Sequence, residues 1–142
     1  MFSAQGYEVF EFDKLTRTAQ EAADALGCQL GQIAKSVVFK ADSGGTILVV
    51  TSGSNRVNEA KIKESQKLVL LKADADFVKN KTGFVIGGVP PWGHKSVPIT
   101  LIDESLANYD FIYAAAGKNN AVFRLTFDDL VKKTQGKVIQ VS

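Results

Sequence analysis

Two apolar runs joined by a short turn constrain the fold of this chain more than any other feature. Ile33-Ala34-Lys35-Ser36-Val37-Val38-Phe39 has the composition of a strand, and residues 46–51 form a second run of the same kind. Between them, Asp42-Ser43-Gly44-Gly45 supplies the residue types that turns require, so the pair predicts a β-hairpin.

Further strands and helices follow from the same patterns. Gly6-Tyr7-Glu8-Val9-Phe10-Glu11-Phe12 alternates aromatic or branched residues with acids, as a strand with one buried face does. Thr18-Ala19-Gln20-Glu21 has the form of a capping box, Ala22, Ala23, Ala25 and Leu26 favour a helix, and Gly27 suits its left-handed stop. After the break at Ser52-Gly53-Ser54-Asn55, a short polar helix is predicted over residues 58–64 and a strand over 68–71. Asp74 caps a helix running to about Lys81 with Gly83 beyond it, and Phe84-Val85-Ile86 leads as a strand into a loop rich in Gly and Pro. Residues 97–102, 111–115 and 121–125 are three more strand candidates. Thr126 opens a last helix to about Thr134, and residues 138–141 form a closing strand.

Strands outnumber helices and do not alternate strictly with them. The order therefore predicts a mixed α/β fold: one compact, barrel-like mixed sheet flanked by helices, formed by residues 1–142 as a single domain. A doubly wound dinucleotide fold fits less well, and Gly87-Gly88 lacks the spacing of either a dinucleotide fingerprint or a P-loop.

Hydrophobic residues make up 45% and charged residues 23%, proportions that exclude a disordered chain. The net charge of +2, from 17 Lys and Arg against 15 Asp and Glu, lacks the cation excess needed to wrap a long duplex, so no DNA partner is expected. It permits an RNA held mainly by its terminal nucleotide. Cys28 is the sole cysteine, which rules out an intrachain disulfide and a cysteine zinc cluster; no metal or cofactor is expected. The opening residues, with Glu8, Glu11 and Asp13, carry neither a basic leader nor a long apolar run, so the expected location is cytoplasmic with no membrane partner.

Two features stand out chemically. Phe84-Val85-Ile86-Gly87-Gly88-Val89-Pro90-Pro91-Trp92-Gly93-His94 combines glycines that allow positive φ and close approach with prolines that fix φ. Such a rigid loop can aim backbone N–H groups at a developing oxyanion, or it can be a tight strand connection and nothing more. Lys35 places an ammonium inside an apolar strand, on one face with Val37 and Phe39; it either enters a pocket or snorkels to water.

Other candidates are weaker. His94 is the only histidine, but no partner is evident, and a role in fixing the loop competes with general base chemistry. No Gly-x-Ser-x-Gly elbow is present, and Cys28 reads as an inert, partly buried thiol. Arg56, Lys61, Lys63 and Lys67 gather around the middle helix, with Lys79, Lys81, Lys95 and Lys118 in or near loops. These cations are solvated unless they surround the glycine-proline loop, where they would meet phosphates while Trp92 or Phe84 stacks on a base.

In order, Thr18-Ala19 with its helix to Gly27, Ile33-Ala34-Lys35-Ser36, the turn at residues 53–57, the loop at 87–93 and the closing stretch at 121–130 resemble the YbaK and prolyl-tRNA synthetase-associated editing domains. The resemblance implies a free-standing hydrolase that removes alanine, cysteine, serine or threonine from the terminal adenosine of a mischarged tRNA, often that for proline. Prolyl-tRNA synthetase is then a candidate partner. It also implies that Lys35 orients the terminal nucleotide and that the backbone of Gly87, Gly88 and Val89 holds the ester carbonyl, while a ribose hydroxyl of the substrate helps activate water. Pro90, Pro91, Trp92, Gly93, His94, Ser52, Arg56, Gly117 and Lys118 are the implied substrate-binding positions. Many relatives carry a helix ahead of the first strand, whereas this chain starts almost at Gly6, which implies a reduced tRNA-facing surface. Two alternatives are a non-catalytic tRNA- or synthetase-binding module of the same fold, and a hydrolase of small esters unrelated to tRNA.

Overall fold

The hairpin that anchors the sequence also anchors the sheet. In a computed structural model that describes residues 2–13 and 18–142, β2 (Ile33–Lys40) and β3 (Thr46–Ser52) pair antiparallel in the register Ala34 opposite Ser52 through Lys40 opposite Thr46. The turn closes with the Ala41 N–H donating to Gly45 O at 2.9 Å. Around this pair the chain adds β1 (Glu8–Glu11), β4 (Leu71–Lys72), β5 (Ile99–Asp103), β6 (Ile112–Ala115), β7 (Ala121–Leu125) and β8 (Lys137–Ile139). One mixed sheet results, in the order β1-β7-β6-β2-β3-β5-β8, with β4 on the free edge of β2. The pairs β2–β6, β3–β5 and β5–β8 are parallel.

β3 sits centrally and is buried on both sides, so its alternation divides the core in two. Leu48 and Val50 join Ile102, Leu106, Phe123 and Leu130 on one side. Ile47 and Val49 join Ile62, Leu101, Ile139 and Val141 on the other. Burying each such side chain stabilises the fold by about 1.5–3 kcal/mol, which is why this hairpin fixes the architecture.

Among the described residues, four helices flank the sheet: α1 (Ala19–Leu26), α2 (Glu59–Gln66), α3 (Ala75–Thr82) and α4 (Phe127–Thr134). Each begins at a residue whose side chain accepts a backbone N–H three positions on: Thr18, Asn58, Asp74 and Thr126. Such a cap contributes ~1 kcal/mol. Among the described residues, no helix is long and apolar enough to cross a membrane.

The structure corrects several sequence expectations. Phe84-Val85-Ile86 is not a strand; Ile86 and Gly87 form a turn, with the Gly88 N–H donating to Val85 O at 3.0 Å. Val85 and Ile86 are 47% and 58% exposed, so these apolar residues do not alternate into a core. Of residues 68–71 only Leu71 is in a strand, and the last strand begins at Lys137. Residues 104–108, unassigned by pattern, form a 3-10 turn capped by Asp103.

Candidate active site

The site begins where the sheet parts. Among the described residues, β2 pairs with β6 at Ile33 and Ala34 and with β4 at Phe39 and Lys40, which leaves the stretch between without a neighbour on that side. A cavity of about 390 Å³ occupies this opening. Strand geometry determines what faces it. The Ile33 carbonyl accepts from the Gly53 N–H, on the β3 side, at 2.8 Å. Backbone polar groups alternate in direction along a strand, so those of Lys35 and Val37 also turn toward β3. Those of Ser36 and Val38 turn toward the opening.

α1 and β6 close one wall of the cavity through Ala19, Ala22 and Tyr113. α3 and the following loop close another through Val78, Ile86, Gly87 and Val89. Lys35 and Lys118 are its charged lining residues among those described, and both are exposed. Lys118 also lies 3.8 Å from the Glu11 carboxylate, a solvated pair of little energetic weight. No carboxylate, thiol or imidazole lines the cavity among the described residues.

The glycine-proline segment is a closed loop with a pinned neck. The Lys95 N–H donates to Thr82 O at 3.0 Å and the Ser96 N–H to Lys81 O at 2.9 Å, tying both ends to the last turn of α3. The Phe84 N–H donates to Thr82 Oγ1 at 3.0 Å. Gly87 has φ +91°, which lets the chain reverse at the cavity wall. Gly88 permits a close backbone approach, because a Cβ there would lie 2.9 Å from the carbonyl carbon of Lys118. Since the Gly88 N–H is committed to Val85 O, the adjacent donors matter more. Those of Gly87 and Val89 have no hydrogen-bond partner among the described residues.

Residues beyond Val89 stiffen the loop from behind. Pro90 and Pro91 are buried, and His94 Nε2 lies 2.6 Å from Pro90 O, the contact of a neutral ring whose Nε2–H donates. Burial pushes the His94 pKa down, against the Pro90 contact that raises it, and Nδ1 is buried with no partner among the described residues. The Trp92 indole N–H donates to Gln5 Oε1 at 3.2 Å, and its ring packs against Phe2, Tyr7 and Phe123. Phe84 packs on Gly117, where an added Cβ would lie 3.2 Å from the ring.

The structure thus brings Lys35, Gly87, Val89 and Lys118 to one cavity, with Gly88 and Gly117 in the packing behind it. Pro90, Pro91, Trp92, Gly93 and His94 are not on its wall. Neither is Ser52, whose hydroxyl donates to Gly31 O at 2.7 Å, nor the exposed Arg56. Ser52 belongs instead to a buried cluster in which Asp103 accepts from the Ser52 N–H, Asn55 Nδ2 and the Ser105 N–H at 2.9–3.0 Å. Ser36, Val78, Tyr113 and Ile86 also line the wall and are absent from the sequence-predicted site. Only Ser36, next to Lys35 in the strand, offered a local signal.

Comparison with known proteins agrees with this architecture. The model of the family described as "Aminoacyl-tRNA editing domain" matches residues 13–133. The chain is 30% identical over 131 residues to "Uncharacterized protein YwhH" of Bacillus subtilis, covering 92% of this chain and 83% of that protein. It is 25% identical over 143 residues to "Putative Cys-tRNA(Pro)/Cys-tRNA(Cys) deacylase EbsC" of Enterococcus faecalis, covering 96% and 85%. Among solved structures, "a putative trans-editing enzyme for prolyl tRNA synthetase" superposes with a TM-score of 0.91 at 39% identity, over 96% of this chain and 87% of that one.

Proposed function

Since this chain belongs to the aminoacyl-tRNA editing domain family, we propose that it acts in trans as an aminoacyl-tRNA deacylase, hydrolysing the ester between a wrongly attached small amino acid and the terminal adenosine of a tRNA. Proline tRNA carrying alanine, cysteine or another small residue is the substrate this reading favours, in keeping with the names of the relatives. The whole chain works as one editing domain in the cytoplasm, with prolyl-tRNA synthetase as candidate partner. The observation that carries the reading is the cavity whose lining brings together Lys35, Gly87 and Val89.

In this reading the ester carbonyl lies against the Gly87 and Val89 N–H groups, which accept the charge of the tetrahedral intermediate without reorganising. Lys35, at the exposed rim, pairs with the phosphate of the terminal nucleotide, and Lys118 adds a second cation there. Water attacks with help from the neighbouring ribose hydroxyl of the substrate, and the ribose oxygen leaves with a proton. No side-chain nucleophile is required.

The test is release of labelled amino acid from tRNA charged with alanine, cysteine, serine or threonine. Wild-type protein should accelerate release from at least one of them above buffer hydrolysis. Lys35→Ala should lower kcat/KM by roughly 10-fold or more, as loss of a charge-assisted contact does. Folded protein that releases nothing would leave a non-catalytic binding role or hydrolysis of small esters unrelated to tRNA, and an unchanged rate in Lys35→Ala would remove Lys35 from the site.

A further inference from the structure

An aminoacyl ester brings an α-amine into the cavity, and the described wall holds no carboxylate to receive it. The charged lining groups among the described residues, Lys35 and Lys118, are both cations. A buried amine left without an acceptor is costly, so the acceptor has to be a neutral oxygen. Thr18 Oγ1 is occupied, accepting from the Glu21 N–H at 3.1 Å. Ser36 offers two oxygens without a hydrogen-bond partner among the described residues. Its carbonyl turns to the open side of β2, where β6 pairing has ended at Ala34 and β4 pairing has not yet begun. Its hydroxyl is buried with no hydrogen-bond partner among the described residues.

Buried hydroxyls and strand carbonyls in folded proteins are ordinarily paired, and two unspent groups on one residue at a cavity wall mark a place that a ligand completes. Resting on the deacylase reading above, we propose that Ser36 is the specificity-determining receptor for the α-amine of the aminoacyl group. The amine donates to the Ser36 carbonyl in the manner of an added strand, and to the hydroxyl after it turns toward the opening. With the amine held at β2 and the ester carbonyl at Gly87 and Val89, the amino acid spans the cavity between two backbone segments. The site then requires a free α-amine, which N-blocked esters and hydroxy-acid esters lack.

The test compares each tRNA of the deacylation panel with its deaminated counterpart, for example alanyl-tRNA against lactyl-tRNA. The second carries an α-hydroxyl in place of the amine at nearly the same size. Acceleration over the buffer rate is measured for each, so that intrinsic ester reactivity cancels. The expected result is an acceleration roughly 10- to 100-fold smaller for lactyl-tRNA, the scale of a charge-assisted hydrogen bond left unmade. Ser36→Ala should shrink that preference while leaving the melting temperature unchanged or higher, because it deletes an unpartnered buried hydroxyl. Ser36→Thr, which keeps a hydroxyl, should retain more of the preference. Equal acceleration of both esters would overturn the inference while leaving deacylation intact, and an undiminished preference in folded Ser36→Ala would overturn the assignment to Ser36. If neither ester is hydrolysed faster than in buffer, the deacylase reading itself fails, and this inference with it.

Discussion

Replacing Gly88 by alanine tests whether the contact between the glycine-proline loop and the β6–β7 turn sets the position of the candidate oxyanion donors. The added methyl carbon would lie 2.9, 3.0 and 3.1 Å from the carbonyl carbon, Cα and N of Lys118, all backbone atoms. Ordinary contact begins near 3.4 Å, so one backbone must retreat by about half an ångström. Gly88 has no positive φ, so alanine adds crowding but no backbone strain. Overpacking of this kind costs about 1–3 kcal/mol, offset by about 0.4–1 kcal/mol from the lower entropy of the unfolded chain.

Gly45→Ala isolates the steric term. Its added carbon would meet only Ser43 Oγ, at 3.9 Å, and its φ is likewise not positive, so the entropic gain alone should remain. The two variants should therefore differ by about 1–3 kcal/mol, or roughly 3–12 °C in Tm by differential scanning fluorimetry. Because Gly87 and Val89 flank the crowded residue, kcat for deacylation should also fall by about 10-fold in Gly88→Ala, since sub-ångström displacement of catalytic groups is expensive. If Gly88→Ala melts and turns over like Gly45→Ala, the backbone contact does not position the loop and the reasoning is wrong.

Two predictions concern pH. Asp103 is 1% exposed; burial raises its pKa, but hydrogen bonds from Asn55, Ser52 and Ser105 together outweigh that and hold it below the ordinary 3.8. Its contribution is thus present above pH 3.8 and lost as acid carries the pH through the lower folded value, so Asp103→Asn should cost about 2–4 kcal/mol near pH 7 and flatten the acid limb of a urea-denaturation series. His94 is depressed from 6.5 by burial, so the folded state resists a proton that the unfolded state takes up; stability should decline as pH falls below 6.5, and His94→Gln should remove that decline.

Local chemistry made the helices and the central hairpin legible. Thr18 and Glu21 carry their cap in four consecutive letters, and Asp42 to Gly45 carries the turn that pairs Lys40 with Thr46. Phe84-Val85-Ile86 misled because a run of three apolar residues has no period to read. Phe84 does pack inward, whereas Val85 and Ile86 form an exposed lip of the loop. The cavity was legible only in part. Lys35 and the loop stood out as oddities, but the opening between them depends on where β6 and β4 meet β2, and strand registers between distant segments leave no local trace.

Both halves of the candidate site are interruptions of regular backbone. At β2, two partner strands reach opposite ends and leave Ser36 between them; in the loop, a turn consumes the Gly88 N–H and leaves those on either side of it without a partner among the described residues. Side-chain substitution cannot delete such groups, and alanine scanning of the wall would report mainly on packing and shape. Lys35, Lys118 and the Ser36 hydroxyl are the exceptions, since each is carried by a side chain that substitution can remove. On the proposed deacylase reading, the rest of the chemistry is removed from the substrate's side, by esters that lack the α-amine or the neighbouring ribose hydroxyl. A site built this way should lose rate in proportion to what the substrate is missing, while most conservative changes to its apolar wall leave the ranking of those esters intact.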